Sequence, residues 1–397
     1  MKILPVLLAL LAAGPLLAGG PRLTYIDSFG SSGSGSGQFN FPYSVAAGGG
    51  RIYVADFGNS RVQRFTSGGV FKSAWGSAGP LPGQFTGPAA VAVNESTGQV
   101  YVTDIYNYRV QRFDADGAFL SAWGSLGEAA GQFNGPSGIA VNEKTGDVYV
   151  TEQTNNRVQR FDANGTFRGM WGGGGSGKGQ FNKPDGIAVN SSTGQVYVSE
   201  FGGNRVQRFT AAGKFETKWG GSGGGDGEFK QAVGVAVDGR GRVWVADSDN
   251  HRVQIFDADG GFLTKIGKGE GSGSGQFKQA YSIAFGPGAV AYIVDNGNNR
   301  VQRWQIVEPP SVTIKGKKKR TTTASKVVIH GKAIRSINSP AIKSVSATVG
   351  GVTVAVTGKE TWQFKAKLKR GKNLISVTAT DTSGTTSDAV TVVVVRK

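Results

Sequence analysis

Three features of the sequence predict an all-β chain, a six-bladed β-propeller followed by a small β-sandwich. A pattern of 46 to 48 residues recurs six times, and each copy contains four short strand-like runs. After Pro309-Pro310 the repeat stops, and shorter alternating runs with a different charge balance take over. Four strands per ~45 residues, separated by turn residues, describe one propeller blade.

The chain opens with MKILPVLLALLAAGPLLAGG, in which one basic residue, Lys2, precedes a Leu/Ala-rich run ending in small residues. Residues 1–20 therefore read as a secretory signal peptide, with cleavage between Ala18 and Gly20. Pro5, Pro15 and a run shorter than the usual ~20 apolar residues argue against a membrane anchor. The mature protein is expected outside the cytoplasm, with no transmembrane span. The chain has no Cys and only two His, which excludes disulfides and thiolate metal sites and argues against a His-rich metal centre. No cofactor is expected.

Residues 21–306 hold the repeat. Gly-Gln-Phe (once Gly-Glu-Phe) places Phe at 39, 85, 133, 181, 229 and 277. An acid follows at 56, 104, 152, 200, 247 and 295, and five residues later an Arg at 61, 109, 157, 205, 252 and 300. The Arg opens RVQRF four times, RVQIF once and RVQRW once. Gly supplies 64 residues, about 16% of the chain, at regular intervals, as turns in a repeat require. The inner strand of each blade is the Ala/Gly/Val-rich one, and Phe113 and Trp123 fall on outer strands where neighbouring sheets diverge. Blade 6 ends at VQRWQIV without a fourth strand, whereas Leu23–Gly30 matches the fourth strand of other copies. That orphan strand should close the ring and remove a free sheet edge.

YVADFGNSRVQRF (53–65), with GQFNFPYSVA (37–46) before it, resembles the NHL repeat in all six copies, across residues 23–306. The resemblance implies a six-bladed propeller but no single function. Such propellers serve as protein-binding, RNA-binding and extracellular sensor modules, and a minority are lyases. The chain has no RING or B-box Cys/His cluster, and the signal peptide removes it from cytosolic RNA.

A repeated Asp/Arg pair such as Asp104 and Arg109 serves every blade alike, so it reads as a hairpin clamp and not as a catalytic dyad. An enzyme on a repeated scaffold must break the repeat. At the start of the inner strands the equivalent positions are Tyr43, Ala89, Ser137, Asp185, Val233 and Tyr281, a ring expected at one channel mouth. It contains one carboxylate and no His, so no catalytic residue and no metal ligand is assigned. The loops between second and third strands should share that face. They supply Phe57, Ile105, Tyr106, Tyr108, Phe201 and His251 as candidate binding residues beside Tyr43, Asp185 and Tyr281. His251 and His330 are expected to be a surface-turn variant and a strand residue.

Residues 307–397 carry 17 Lys and Arg against 4 Asp and Glu, or +13 of the total +17. About seven short alternating strands there read as an Ig-like sandwich, and WQFKAKLKRGKNLISVTATDTSG (362–384) resembles bacterial Ig-like domains. The run Lys315, Lys317, Lys318, Lys319 and Arg320 suits anionic cell-envelope polymers, with a solvated junction loop as the alternative. No aromatics interleave with it, which argues against a nucleic-acid platform. The expected function is a secreted, non-enzymatic binding or scaffold protein recognising a protein or glycan. The alternative is a lactonase or lyase of the six-bladed type.

Overall fold

The computed structural model describes residues 20–314, 319–322, 326–335, 340–387 and 389–396. The N-terminal apolar segment to residue 19, and Lys315, Lys317 and Lys318 of the basic run, lie outside the described residues. Two compact units are present, Leu23–Ile306 and Val307–Lys397. Among the described residues no helix is long and apolar enough to cross a membrane.

The first unit is six four-stranded sheets. In blade 2 the strands are Pro88–Asn94, Gln99–Asp104, Arg109–Phe113 and Phe119–Trp123, each antiparallel to the next. Burial follows position in the blade. The second strand is sandwiched between sheets and buried from Val100 to Asp104, whereas no residue of the outer strand is more than half-buried. Phe85, from the Gly-Gln-Phe signature, is fully buried and plugs the wedge between blades 1 and 2. It packs with Tyr53 and Val62 on one side and Val102 and Phe113 on the other. The corresponding Phe of every other copy is equally buried, which explains why the repeat retains it.

Blade 6 consists of Ala280–Gly286, Val290–Asp295 and Arg300–Val307, and its fourth strand is Arg22–Phe29 from the start of the chain. Arg303 locks this strand through Asp27, with Nε donating to Oδ1 at 2.6 Å, and Tyr25 sets its ring edge-on to Trp304. The ring therefore closes as expected. The six inner strands converge so tightly at the axis that blades 3, 4 and 5 require Gly. A Cβ at Gly138, Gly186 or Gly234 would come within 2.2, 2.4 or 2.1 Å of a backbone oxygen on the next inner strand.

The second unit is a two-sheet sandwich. One sheet orders Ser311–Ile314, Lys326–Ile334 and Thr361–Lys367. The other orders Lys319–Thr322, Val390–Arg396, Gly371–Asp381, Ile342–Val349 and Val352–Val354. Both sheets contribute to one core, with Ile329, Trp362 and Phe364 facing Ala347, Val377 and Val394. The structure corrects one expectation here. Lys319 and Arg320 are not loop residues but begin an edge strand, parallel to Val390–Arg396. The unpaired backbone edge of that last strand recruits them, and charged residues are tolerated on an edge strand because it pairs on one side only.

Candidate ligand-binding mouth of the propeller channel

The loops of one face are built by the repeated ion pair. Asp104 is fully buried; its Oδ2 accepts from Arg109 Nε at 3.0 Å and Asn107 Nδ2 at 2.8 Å, and its Oδ1 from the Thr86 backbone N–H at 2.7 Å. Arg109 then donates to the carbonyls of Pro80, Leu81 and Gln84, and Gln111 Nε2 donates to the same Gln84 carbonyl. The pair does more than close its own hairpin, because it fastens the Gly-rich connection from the preceding blade to that hairpin. The other five copies repeat the pairing, from Asp56–Arg61 to Asp295–Arg300.

On this rigid base, three successive residues from each inner strand line a channel cavity of about 140 Å³. Its outer layer is the predicted ring of Tyr43, Ala89, Ser137, Asp185, Val233 and Tyr281, joined by Ile105 and Gln153 from the loops. The layer is two-sided. Aromatics come from blades 6, 1 and 2: Tyr281 meets Tyr43 edge-on at 5.1 Å, Tyr43 stacks on Phe57 at 4.4 Å, and Phe57 meets Tyr106 at 6.2 Å. Polar groups come from blades 3 and 4, where Gln153 Nε2 donates to Asp185 Oδ1 at 2.9 Å.

Asp185 is half-buried and lines the channel cavity. Desolvation by the surrounding protein raises its pKa to about 6, against the opposing pull of the Gln153 and Ser137 donors. Its charge reaches across the mouth. Burial first, and then Asp185, raises the pKa of Tyr43; Tyr281 rises through burial, then Tyr43 and Asp185. Among the described residues that line the cavity there is no Lys, Arg or His.

The predicted site residues separate into two groups. Tyr43, Ile105, Asp185 and Tyr281 line the cavity, while Phe57 and Tyr106 extend its aromatic side outward. Tyr108 does not behave as a free loop residue, because its ring packs against the core between blades 2 and 3. His251 occupies the same slot and is a blade-to-blade bridge, with Nδ1 2.7 Å from the Lys278 carbonyl. Asn156, Asn204 and Asn299 bridge likewise, each Oδ1 accepting a backbone N–H of the next blade. Phe201 is half-buried and does not line the cavity. Gln153 was missed by sequence reasoning, although its slot, directly after the repeated acid, already held Phe57, Ile105 and Phe201. Among the described residues, no three side chains of His, Asp or Glu gather as a metal site would require.

The NHL repeat family model matches residues 39–65, 85–113, 133–161, 181–209 and 229–256. This chain belongs to the NHL-repeat propeller family. The sixth NHL copy escapes the family model, yet it folds as the other five do, with its fourth strand borrowed from the N-terminus. A protein of unknown function from Bacteroides thetaiotaomicron superposes on the chain with a TM-score of 0.55 at 18% identity, covering 72% of this chain and 76% of that one. A gluconolactonase from Xanthomonas campestris superposes with a TM-score of 0.52 at 17% identity, covering 76% and 94%. At that identity the likeness concerns the fold alone. No curated protein matches the sequence.

Proposed function

We propose that this NHL propeller is a secreted binding protein, not an enzyme, whose channel mouth and surrounding loops recognise a protein or glycan ligand. One observation carries the reading: the six copies agree at the buried clamp and diverge at the mouth, where an aromatic arc faces a polar arc. Varied side chains on a rigid scaffold are the usual arrangement for recognition. Tyr106, 58% exposed at the rim, supplies the large amphipathic surface that often dominates binding. The opposite face is occupied by repeated latches: Tyr53 and Tyr101 donate their hydroxyls to turn carbonyls of the next blade, and Arg64 and Arg112 donate to the same carbonyls. The basic sandwich would act as spacer or as contact with anionic envelope polymers. A hydrolase would have to rest on Asp185 as the one carboxylate among the described residues that line the cavity.

The test is binding of the purified chain to arrayed glycans and peptides, comparing Tyr106→Ala and Tyr43→Ala with Lys144→Glu on the opposite face. Tyr106→Ala should weaken binding about tenfold, as loss of an aromatic anchor does, while leaving the melting temperature unchanged. Binding lost in Lys144→Glu and intact in the tyrosine variants, or turnover of a lactone by the wild type, would refute the proposal.

A further inference from the structure

We propose that the channel mouth receives a small organic cation, an alkylammonium head group held between the Tyr43–Tyr281 wall and the Asp185 carboxylate. The inference rests on the reading of the mouth as a ligand site and adds the chemical class of what enters it.

Three features of the mouth point to a cation. The first is the placement of opposites around the ring. Asp185 belongs to blade 4 and Tyr43 to blade 1, so the carboxylate stands diametrically across the channel from the aromatic wall. The second is the wall itself. Tyr281 meets Tyr43 edge-on at an interplanar angle of 69°, and Phe57 stacks behind Tyr43 at 21°, so the aromatic wall is held in place by packing. The negative face of an aromatic ring attracts ammonium groups, most strongly where water is excluded.

The third feature is charge. Among the described residues that line the cavity, Asp185 is the sole carboxylate and no side chain is basic. Its donors, Gln153 and Ser137, are neutral. A partly desolvated carboxylate without a cationic partner is an unfavourable arrangement that a bound cation would relieve. Asp249, on the neighbouring blade-5 turn, adds further negative charge near Tyr281. The mouth is thus a local negative site on a propeller whose sequence is slightly basic. Size agrees: the cavity, about 140 Å³, is close to the ~150 Å³ that takes up a benzene-sized molecule. A neutral sugar could stack on the same rings but would leave the carboxylate without a counter-charge.

Isothermal titration of the full chain with choline, and with its neutral isostere 3,3-dimethylbutan-1-ol, separates these cases. Choline should bind at least about tenfold more tightly than the alcohol, since a desolvated cation–π contact and a charge pair are both lost in the isostere. Asp185→Asn should cost about tenfold in choline affinity and leave the alcohol unaffected. Tyr281→Ala should abolish choline binding, whereas Tyr281→Phe, which keeps the ring face, should retain it. Equal affinity for choline and the alcohol, unchanged choline binding in Asp185→Asn, or no choline binding at about 10 mM would overturn the inference. Asp185→Asn preserves shape and removes a half-buried charge, so it remains decisive even if Tyr281→Ala fails to fold. Glycan or peptide binding that needs Tyr43, without choline binding, would sink the ammonium while leaving the mouth as the ligand site. Loss of both would sink the two together.

Discussion

The clamp and the mouth lie on the same face of the propeller and obey opposite rules. At the clamp every blade carries an acid, an Arg five residues later and a Gln two beyond it. Each of these acids and Gln is fully buried, and each acid is bonded to its Arg. At the mouth the six equivalent residues are Tyr43, Ala89, Ser137, Asp185, Val233 and Tyr281, with two rings, one charge and three small or aliphatic side chains. A buried charge without its partner is costly, so the clamp has one chemical solution in each blade. A channel-facing side chain meets solvent and its counterparts across the axis, so many solutions are tolerated. The same face therefore separates what holds the disc together from what can be varied for a ligand.

The largest effect expected from disturbing the scaffold side of this comparison comes from ring closure. Removing the chain through Gly30 deletes the fourth strand of blade 6, the Asp27–Arg303 pair and the Tyr25–Trp304 contact. It also exposes a sheet edge. Thermal unfolding of the truncated protein should begin well below that of the untruncated chain, with concentration-dependent aggregation. Matching melting curves would contradict a structural role for that strand.

A smaller but still large loss is expected at the clamp. Asp104→Ala strands a mostly buried Arg109 and leaves the Thr86 N–H without its acceptor. Breaking a buried pair in this way costs about 3–5 kcal/mol. Urea denaturation of the variant measures it, and a loss under about 1 kcal/mol would mean that the carbonyls of Pro80, Leu81 and Gln84 suffice to hold Arg109.

At the mouth the sign reverses. The carboxyl of Asp185 has its pKa raised from 3.8 to about 6, so the folded state holds this proton more tightly than the unfolded chain does. The resulting penalty is absent below about pH 3.8, grows as pH rises, and is complete above about pH 6. Asp185→Asn should therefore stabilise the protein at pH 8 by up to about 3 kcal/mol and change little below pH 4. A stability difference that does not vary with pH would show that desolvation is not what perturbs the group. Stability given up at a cavity-lining residue fits the trade-off between stability and function.

Much of this was legible in the sequence because a propeller is a local structure repeated. Each blade is a run of adjacent hairpins, so strand order, the Phe plug and the acid–Arg spacing all appear at short range. Ring closure was legible too, from a missing strand at one end and a spare one at the other. Tyr108 and His251 were harder to place. They occupy a variable slot next to truly exposed residues, and only the neighbouring blade shows that one packs into the core and the other bridges to Lys278. Gln153 carried no signal of its own, since its importance comes from Asp185 in the next blade, 32 positions away. In the sandwich, Lys319 and Arg320 could be read as part of a junction loop because their pairing partners lie more than seventy residues downstream.

By itself, the sequence determined the number of blades, their strand content and the ring of residues at the mouth, because periodic spacing converts directly into position around an axis. Tertiary structure alone decided which of the variable residues face one another. Only when six blades close does Asp185 come to stand opposite Tyr43, partly desolvated and with no basic side chain among the described residues that line the cavity, and that arrangement of charge across the channel is written in no single repeat.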